Sequence, residues 1–167
     1  MRISIDFGIT VTDSLKKSSN GSLEHKMVLS NSEPSENLVR NIFPELNFTE
    51  DLEHIAVTGG KHGNIGDHIN NTPVFHINEV DAIGEGAMHL SGIEKNKSSI
   101  IVSAGSGTAC IYAKDGKYLH CSGTGVGGGT VLGLSKLLLN TIDPKEIGEL
   151  ASRGDPRTTD LIIEDVV

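Results

Sequence analysis

The sequence has few aromatic side chains and no excess of positive charge. Tryptophan is absent, and the 167 residues include only two tyrosines and four phenylalanines. Proteins that bind single-stranded nucleic acids stack the bases on aromatic rings, so this scarcity argues against such recognition. The net charge of −8 points the same way, because phosphate backbones and anionic membrane surfaces attract basic proteins. We therefore expect neither a nucleic acid nor a membrane as the main partner.

The sequence also lacks a long apolar run and a cysteine framework. Charged residues occur from Arg2 and Asp6 onward, and no stretch approaches the ~20 apolar residues of a membrane-spanning helix. No signal peptide is recognisable, so a cytoplasmic protein is expected. In that reducing compartment Cys110 and Cys121, which flank a predicted hairpin, are expected to be core thiols and not a disulfide. The histidines have no cysteine companions at zinc spacing, and no Gly-x-Ser-x-Gly elbow supports a serine hydrolase.

The pattern of apolar residues predicts an α/β protein, either one domain or two small lobes that share a cleft. Alternation and short apolar runs predict strands at residues 2–6, 23–29, 55–57, 73–77, 98–102, 109–113 and 118–121, with another strand opening after the turn at 6–10. Helices are predicted from Ser32, Glu79, Asp143 and Asp155, and after the last glycine run. Three of these helices have a predicted apolar stripe. The stripes are Leu38, Val39, Ile42 and Phe43 on the first helix, Val80, Ile83, Ala87 and Leu90 on the second, and Val131, Leu134, Leu137 and Leu138 on the helix after the glycine run.

A run of glycines at residues 123–130 separates a predicted strand from a predicted helix. Glycine allows backbone N–H groups to approach an anion, and a helix that starts behind the loop adds a positive dipole end. The run therefore predicts a phosphate-binding loop, although it matches neither the Walker nor the Rossmann pattern. A flexible surface loop is the alternative, and it is disfavoured because the run leads directly into a periodic helix.

Two carboxylates are placed where strands end. Asp6 ends the first strand and is followed by Gly8 and Thr10, a set that can hold hydrated Mg²⁺ and an anionic oxygen, although an ordinary turn has the same residues. Glu79 lies with Asp81 in the first turn of a predicted helix, where the helix dipole favours negative charge whatever the function. Because Glu79 directly follows a strand end, it can point into a cleft as a base.

Six segments together resemble the type II pantothenate kinases of the acetate kinase, sugar kinase and actin superfamily, and they occur in the same order. The glycine run and the last segment are the specific ones. The segments are Asp6-Phe7-Gly8-Ile9-Thr10, Val57-Thr58-Gly59-Gly60, Glu79-Val80-Asp81-Ala82, Gly105-Ser106-Gly107-Thr108, the run at residues 123–130, and Ala151-Ser152-Arg153-Gly154-Asp155.

The resemblance implies an actin-like ATPase fold with two ribonuclease-H-like lobes and mixed sheets. Residues 1–77 would form the first lobe with the phosphate loop, and residues 78–167 part of a second lobe with the glycine-rich nucleotide loop. Members of the family continue beyond the position of Val167, so the second lobe is expected to be incomplete. A homodimer is also implied.

The implied reaction is transfer of the γ-phosphoryl group of ATP, with Mg²⁺, to the primary hydroxyl of pantothenate, the first step of coenzyme A biosynthesis. Glu79 would be the catalytic base, and Asp6 would also contact the metal ion. Coenzyme A or acetyl-coenzyme A would be a further ligand. The implied phosphate and nucleotide contacts are Asp6, Gly8, Thr10, Asp13, Ser106, Gly128, Gly129, Thr130, Val131 and Leu132, and the implied substrate contacts are His120, Gly123, Thr124 and Gly125.

Four positions depart from the family pattern: Ile9, Asp13, His120 and Pro144. Two of these departures keep alternatives open. Asp13 replaces a phosphate-facing lysine, and His120 replaces a substrate-side arginine, which removes a bidentate donor. One alternative is a kinase of the same fold that phosphorylates another small hydroxyl compound. The other is a non-catalytic relative that binds coenzyme A or a nucleotide.

Overall fold

A computed structural model describes residues 1–46, 52–155 and 157, and its N-terminal part is built on a mixed sheet. Strands β1 (Arg2–Phe7), β2 (Val11–Lys17) and β3 (Leu23–Leu29) form an antiparallel meander. Strand β4 (His54–Thr58) runs parallel to β1, and β6 (Thr72–His76) runs parallel to β4, with the short β5 (His68–Ile69) at the edge. The strand order is therefore β3-β2-β1-β4-β6-β5, which confirms the predicted meander and parallel crossover.

The hydrophobic core of this sheet lies on one face only. Ile3, Ile5 and Phe7 alternate with exposed residues along β1, and they pack with buried residues of β4 and of helix α1 (Glu36–Ile42). The opposite face of β1, which carries Asp6, is left open. Period-two alternation thus separates a packing face from a face that is available for chemistry.

Helix α1 begins later than the sequence prediction. Ser35, and not Ser32, is the N-cap, and its hydroxyl accepts a hydrogen bond from the Leu38 N–H at 3.2 Å. Ser32 and Ser35 are equally good capping residues by type, and in the helix that starts at Ser35 the buried residues are Val39 and Ile42. The helix therefore starts three residues later than predicted, and its apolar stripe is the predicted one.

The second sheet is a purely antiparallel meander. It consists of β7 (Ser99–Ala104), β8 (Thr108–Lys114) and β9 (Lys117–Thr124), in the order β7-β8-β9. Asp115 and Gly116 form the predicted hairpin turn between β8 and β9, both with positive φ (53° and 69°). Cys110 pairs with Ser122 and Ile111 pairs with His120, so Cys121 is the extra residue of a β-bulge. Both cysteines are free thiols, but Cys110 is half-buried and Cys121 is exposed, so the prediction that they belong to the core was wrong.

Helix α2 (Glu79–Ser91) connects the two sheets and packs on the second one, mainly on β9. Gly84 and Met88 are its buried residues, whereas Leu90 is 87% exposed. The prediction that Leu90 belongs to the packed face was therefore wrong. Helical periodicity predicts an apolar stripe, but it does not predict that Gly84, a residue without a side chain, is among the buried contacts of the helix.

Two further helices follow the glycine run, α3 (Gly128–Leu139) and α4 (Pro144–Arg153). The predicted cap of α4 is confirmed, with Asp143 as N-cap and Pro144 at the first position. The apolar face predicted for α3 is present but not buried, since Leu137 is 81% and Leu138 is 77% exposed. The helix predicted from Asp155 falls largely on residues outside those described. No helix in the described ranges is both long enough and apolar enough to cross a bilayer.

Candidate active site

The turn after β1 is held in one conformation by hydrogen bonds from the end of β3. The Ser30 hydroxyl donates to the Gly8 carbonyl at 2.8 Å and lies 3.0 Å from the hydroxyl of buried Thr12. A side chain at Gly8 would be 2.5 Å from the Val11 carbonyl oxygen, so only glycine fits the turn. The first of the two predicted phosphate turns is thus preorganised by its own lobe.

The second turn, at residues 105–107, supports the glycine run. The Gly128 N–H donates to the Gly105 carbonyl at 2.8 Å. A Cβ at Gly127 would lie 2.7 Å from backbone atoms of Gly107, so the two segments touch backbone to backbone. Gly127 is required because the two backbones approach each other so closely. As a result, the N-terminus of α3 lies at the same cavity that Ser106 lines.

The two turns face each other across a cleft of about 550 Å³. The hydroxyl oxygens of Thr10 and Ser106 are 3.1 Å apart, although 96 residues separate them in sequence. The cleft brings together ten of the residues singled out from the sequence: Asp6, Gly8, Thr10, Asp13, Glu79, Ser106, Thr124, Gly128, Gly129 and Leu132. Hydroxyls and glycine backbone on both walls suit a chain of phosphate groups.

Five other predicted site residues do not line this cleft. They are Thr130, Val131, His120, Gly123 and Gly125. The Thr130 hydroxyl is used inside the loop, where it accepts from the Gly127 N–H and donates to the Gly125 carbonyl, both at 3.4 Å. His120 is exposed on β9 beside Gly123, just before the bulge. The roles of these five residues stay predictions.

Glu79 projects from the N-terminus of α2 at the border of two cavities. Asn78 caps the helix by accepting from the Val80 N–H at 2.9 Å, which fixes the first turn. Glu79 lines the 550 Å³ cleft and also a cavity of about 420 Å³ on the open face of the first sheet. A carboxylate in this position can orient and deprotonate a hydroxyl held against the phosphate turns.

The cleft has a negative electrostatic character. Desolvation of the Asp6 carboxyl raises its pKa above the ordinary value, and the charges of Glu79 and Asp13 raise it further. Asp13 is itself paired with His25, whose Nε2 lies 2.8 Å from the Asp13 carboxylate. No three-ligand metal cluster occurs among the described residues. Mg²⁺ in phosphoryl-transfer sites uses one or two carboxylates together with waters and phosphate oxygens, so Asp6 fits such an ion.

Three residues next to Asp6 or Asp13 were not assigned to the site from the sequence. His25 reaches Asp13 diagonally across β2 and β3, a pairing that becomes visible only when the register is known. Thr58 lies beside Asp6 on β4, and its buried hydroxyl has no partner within the described part of the chain. Gly59 has a φ of +92°, and a Cβ there would be 2.7 Å from the Asp6 carboxylate. The sequence predicts the Thr58-Gly59-Gly60 turn but not its contact with Asp6.

Solved structures with low sequence identity share this arrangement of sheets. Component A of (R)-2-hydroxyglutaryl-CoA dehydratase from Acidaminococcus fermentans superposes with a TM-score of 0.67 at 13% identity, over 92% of this chain and 59% of that one. A ROK family glucokinase from Streptomyces griseus, solved with glucose and AMPPNP, gives 0.64 at 14% identity, over 93% and 72%. The chain therefore has the actin-like ATPase fold of these proteins, as predicted.

Sequence comparison gives the family within this fold class. The family model described as Fumble matches residues 67–167, and the chain belongs to that family. A type II pantothenate kinase of Bacillus cereus is 32% identical over 117 residues, which are 68% of this chain and 42% of the relative. The enzyme of the same name from Staphylococcus epidermidis is 29% identical over 168 residues, 99% of this chain and 60% of its own length. The chain thus spans about half the length of the curated relatives it matches.

Proposed function

We propose that the chain carries the phosphate-binding and base-bearing part of an ATP-dependent kinase that phosphorylates pantothenate at its primary hydroxyl. One observation carries this proposal: Glu79 lines the same cleft in which the Thr10 and Ser106 turns meet. The type II pantothenate kinases that match the chain support pantothenate as the acceptor. A role in coenzyme A biosynthesis follows from that acceptor.

In the proposed reaction the acceptor hydroxyl oxygen forms a bond to the γ-phosphorus of ATP. The bond from that phosphorus to the bridging oxygen breaks, and ADP leaves with the bonding pair. Glu79 orients the hydroxyl and accepts its proton late in the step, since phosphoryl transfer depends mainly on positioning and charge stabilisation. The N-terminal end of α3 and the Thr10 and Ser106 hydroxyls hold the phosphate oxygens.

A divalent cation fits the proposal. Mg²⁺ bound beside Asp6 would neutralise charge on the phosphate oxygens and offset the repulsion among the three carboxylates of the cleft. Asp13 stands where the related kinases have a lysine, so the cation would supply charge that this chain lacks on that wall. The His25–Asp13 pair reduces the negative charge of Asp13 when His25 is protonated.

The test is ADP formation with Mg²⁺·ATP and pantothenate, compared with a panel of small alcohols and sugars. We expect pantothenate-dependent ADP formation that falls at least 100-fold in Glu79→Gln, because the base is lost while the shape is kept. ATP loss that is independent of pantothenate would contradict the proposal. Turnover of another acceptor in the panel would instead support a kinase with a different substrate.

A second candidate is a non-catalytic relative that binds a nucleotide or coenzyme A. Asp13 favours it, because a carboxylate repels phosphate groups. Calorimetric titration with AMPPNP and with coenzyme A, in a chain that shows no turnover, would identify this function. Binding of coenzyme A, self-association and a cytoplasmic location stay predictions.

A further inference from the structure

Helix α2 contacts β9 through a glycine and an aromatic ring. Gly84 is buried, and a Cβ built on it would lie 2.2 Å from Cδ1 and 2.3 Å from Cγ of Tyr118. The ring of Tyr118 therefore rests directly on the helix backbone, with no room for even a methyl group. Gly84 does not have a positive φ, so close approach alone explains the glycine.

The ring is fixed at both of its ends. Its backbone belongs to β9, and its hydroxyl donates to the Glu85 carboxylate at 2.6 Å. Glu85 also pairs with Lys95, whose carbonyl accepts from the Asp115 N–H at 2.6 Å in the β8–β9 turn. Rotation of the ring away from Gly84 would break the hydrogen bond to Glu85, so the ring acts as a rigid spacer between helix and strand.

The two elements joined by this contact carry the two halves of the site. Glu79 is five residues before Gly84 on α2, and Tyr118 is on the strand that ends at Thr124 and continues into the glycine run. A change in the spacing between α2 and β9 therefore moves Glu79 relative to the N-terminus of α3.

We propose that Tyr118 is a positioning residue, which packs on Gly84 and thereby sets the distance between Glu79 and the glycine run. This inference rests on the proposed role of Glu79 as the base. Nonbonded carbon atoms need about 3.5 Å, so a methyl group at Gly84 requires a shift of roughly 1 Å. A misplacement of about 1 Å in a reacting geometry costs on the order of 100-fold in rate.

The kinetic test compares Gly84→Ala with Gly86→Ala in the 167-residue chain. Gly86 is on the same helix, and a Cβ there meets no atom within 4 Å, so this matched control should keep wild-type kinetics. For Gly84→Ala we expect kcat with pantothenate to fall about 100-fold while KM for ATP changes less than threefold. Removal of the ring in Gly84→Ala/Tyr118→Ala removes the clash, so this double variant should have a kcat about tenfold below wild type, as expected for Tyr118→Ala, and not 100-fold below. An equal loss of kcat in Gly84→Ala and Gly86→Ala would overturn the inference. So would a double variant whose kcat is no higher than that of Gly84→Ala.

Two tyrosine variants keep the test decisive if Gly84→Ala does not fold. Tyr118→Phe keeps the ring against Gly84 but loses the hydrogen bond to Glu85, so its loss of kcat should be smaller than that of Tyr118→Ala, which should lose about tenfold with little change in KM for ATP. A Tyr118→Ala chain with full kcat would overturn the inference.

Crystal structures separate this inference from the proposed function. With β7, β8 and β9 superposed, the Glu79 carboxylate should be displaced by roughly 1 Å in Gly84→Ala and not in Gly86→Ala. If the wild-type chain phosphorylates nothing, the proposed function fails, and the structures still decide whether Tyr118 sets the position of Glu79. A tyrosine ring swung out, with Glu79 unmoved, would refute the inference.

Discussion

Asp6 is a residue at which the requirements of the site oppose stability. Its carboxyl group is desolvated and lies near Glu79 and Asp13, and these effects raise its pKa above the ordinary value of 3.8. Between pH 3.8 and the raised pKa, Asp6 is mostly protonated in the folded chain and mostly ionised in the unfolded chain. The stability linked to Asp6 is therefore fully present below 3.8 and is lost as pH rises through the raised pKa.

Asp6→Asn is accordingly expected to unfold at higher denaturant concentration than the wild type at pH 7. The gain should shrink as pH falls toward 3.8, because the wild-type carboxyl then becomes neutral as well. Urea midpoints between pH 7.5 and pH 4 measure this. Asp115→Asn, in the exposed hairpin turn, is the control for the removal of one negative charge. A lower midpoint for Asp6→Asn at pH 7 would contradict the prediction.

At the scale of elements, the contact between the glycine run and the 105–107 turn is testable at Gly127. In Gly127→Ala the new Cβ would lie 2.7 Å from three backbone atoms of Gly107, and the backbone must move. We expect a loss of about 1–3 kcal/mol in unfolding free energy, as for overpacked sites, and at least tenfold weaker AMPPNP binding. Urea unfolding and calorimetry measure the two effects.

Gly133→Ala is the matched control for that variant. Gly133 lies in the middle of α3, and a Cβ there meets no atom within 4 Å. Alanine has the higher helix propensity, so this variant should be unchanged or more stable by up to about 1 kcal/mol. Unaltered AMPPNP binding by Gly127→Ala would show that the backbone contact is not needed for the nucleotide loop.

The end of α1 is joined to the first sheet by charges around Glu45. Lys16 lies 2.8 Å and Lys26 3.2 Å from its carboxylate, and both ammonium groups are also near the Phe43 ring. The hydrogen bond from Lys16 is the main cause that lowers the pKa of Glu45 from 4.5 to about 2. Stability linked to Glu45 is therefore present above pH 4.5 and is lost as pH falls toward 2.

Glu45→Gln should be less stable than the wild type at pH 7, by no more than about 1 kcal/mol, because the carboxylate is partly exposed and screened. The difference should narrow steadily between pH 4.5 and pH 2 in thermal unfolding. Glu33→Gln removes a single, more exposed pair with Lys61 and should cost less. A difference that grows at acid pH would refute the assignment.

The elements of the fold could be predicted because local signals agree with tertiary packing. The meander, the parallel crossover and the cap of α4 each follow from alternation or from capping chemistry near the segment itself. The start of α1 could not be chosen, since Ser32 and Ser35 offer the same hydroxyl and only the docked helix distinguishes them. The sequence likewise shows glycines at 84 and 127 but not the ring or the backbone against which each one packs.

For the site, the sequence pattern could predict turns that line one cleft in the structure but not how they meet. The strand ends predict Asp6, Thr10 and Glu79, the family resemblance implies Ser106, and the structure brings these four residues to one cleft. The 3.1 Å approach of Thr10 to Ser106 depends on how the two sheets are placed, which no local pattern contains. The division of the chain at residues 77 and 78 stays a prediction.

At the scale of the whole molecule, α3 presents an uncovered apolar face. Val131 and Leu134 are about half exposed, at 51% and 52%, and Leu137 and Leu138 are more so. Contiguous apolar patches of this kind mark surfaces that bind another protein, since burying apolar surface gives roughly 25 cal/mol per Å². We predict that the 167-residue chain self-associates through this face.

Leu137→Gln/Leu138→Gln should therefore shift the chain toward the monomer mass in analytical ultracentrifugation, with the wild type showing concentration-dependent association. Glutamine keeps the helix propensity, so α3 should remain folded and its circular dichroism unchanged. Leu119→Gln, an exposed apolar residue on β9 and not on α3, is the control and should associate as the wild type does. Because the glycine run begins α3, association through this helix would also restrain the nucleotide loop. A wild-type chain that is monomeric at all concentrations, or equal effects of the α3 and β9 variants, would argue that the α3 face is not the contact between copies.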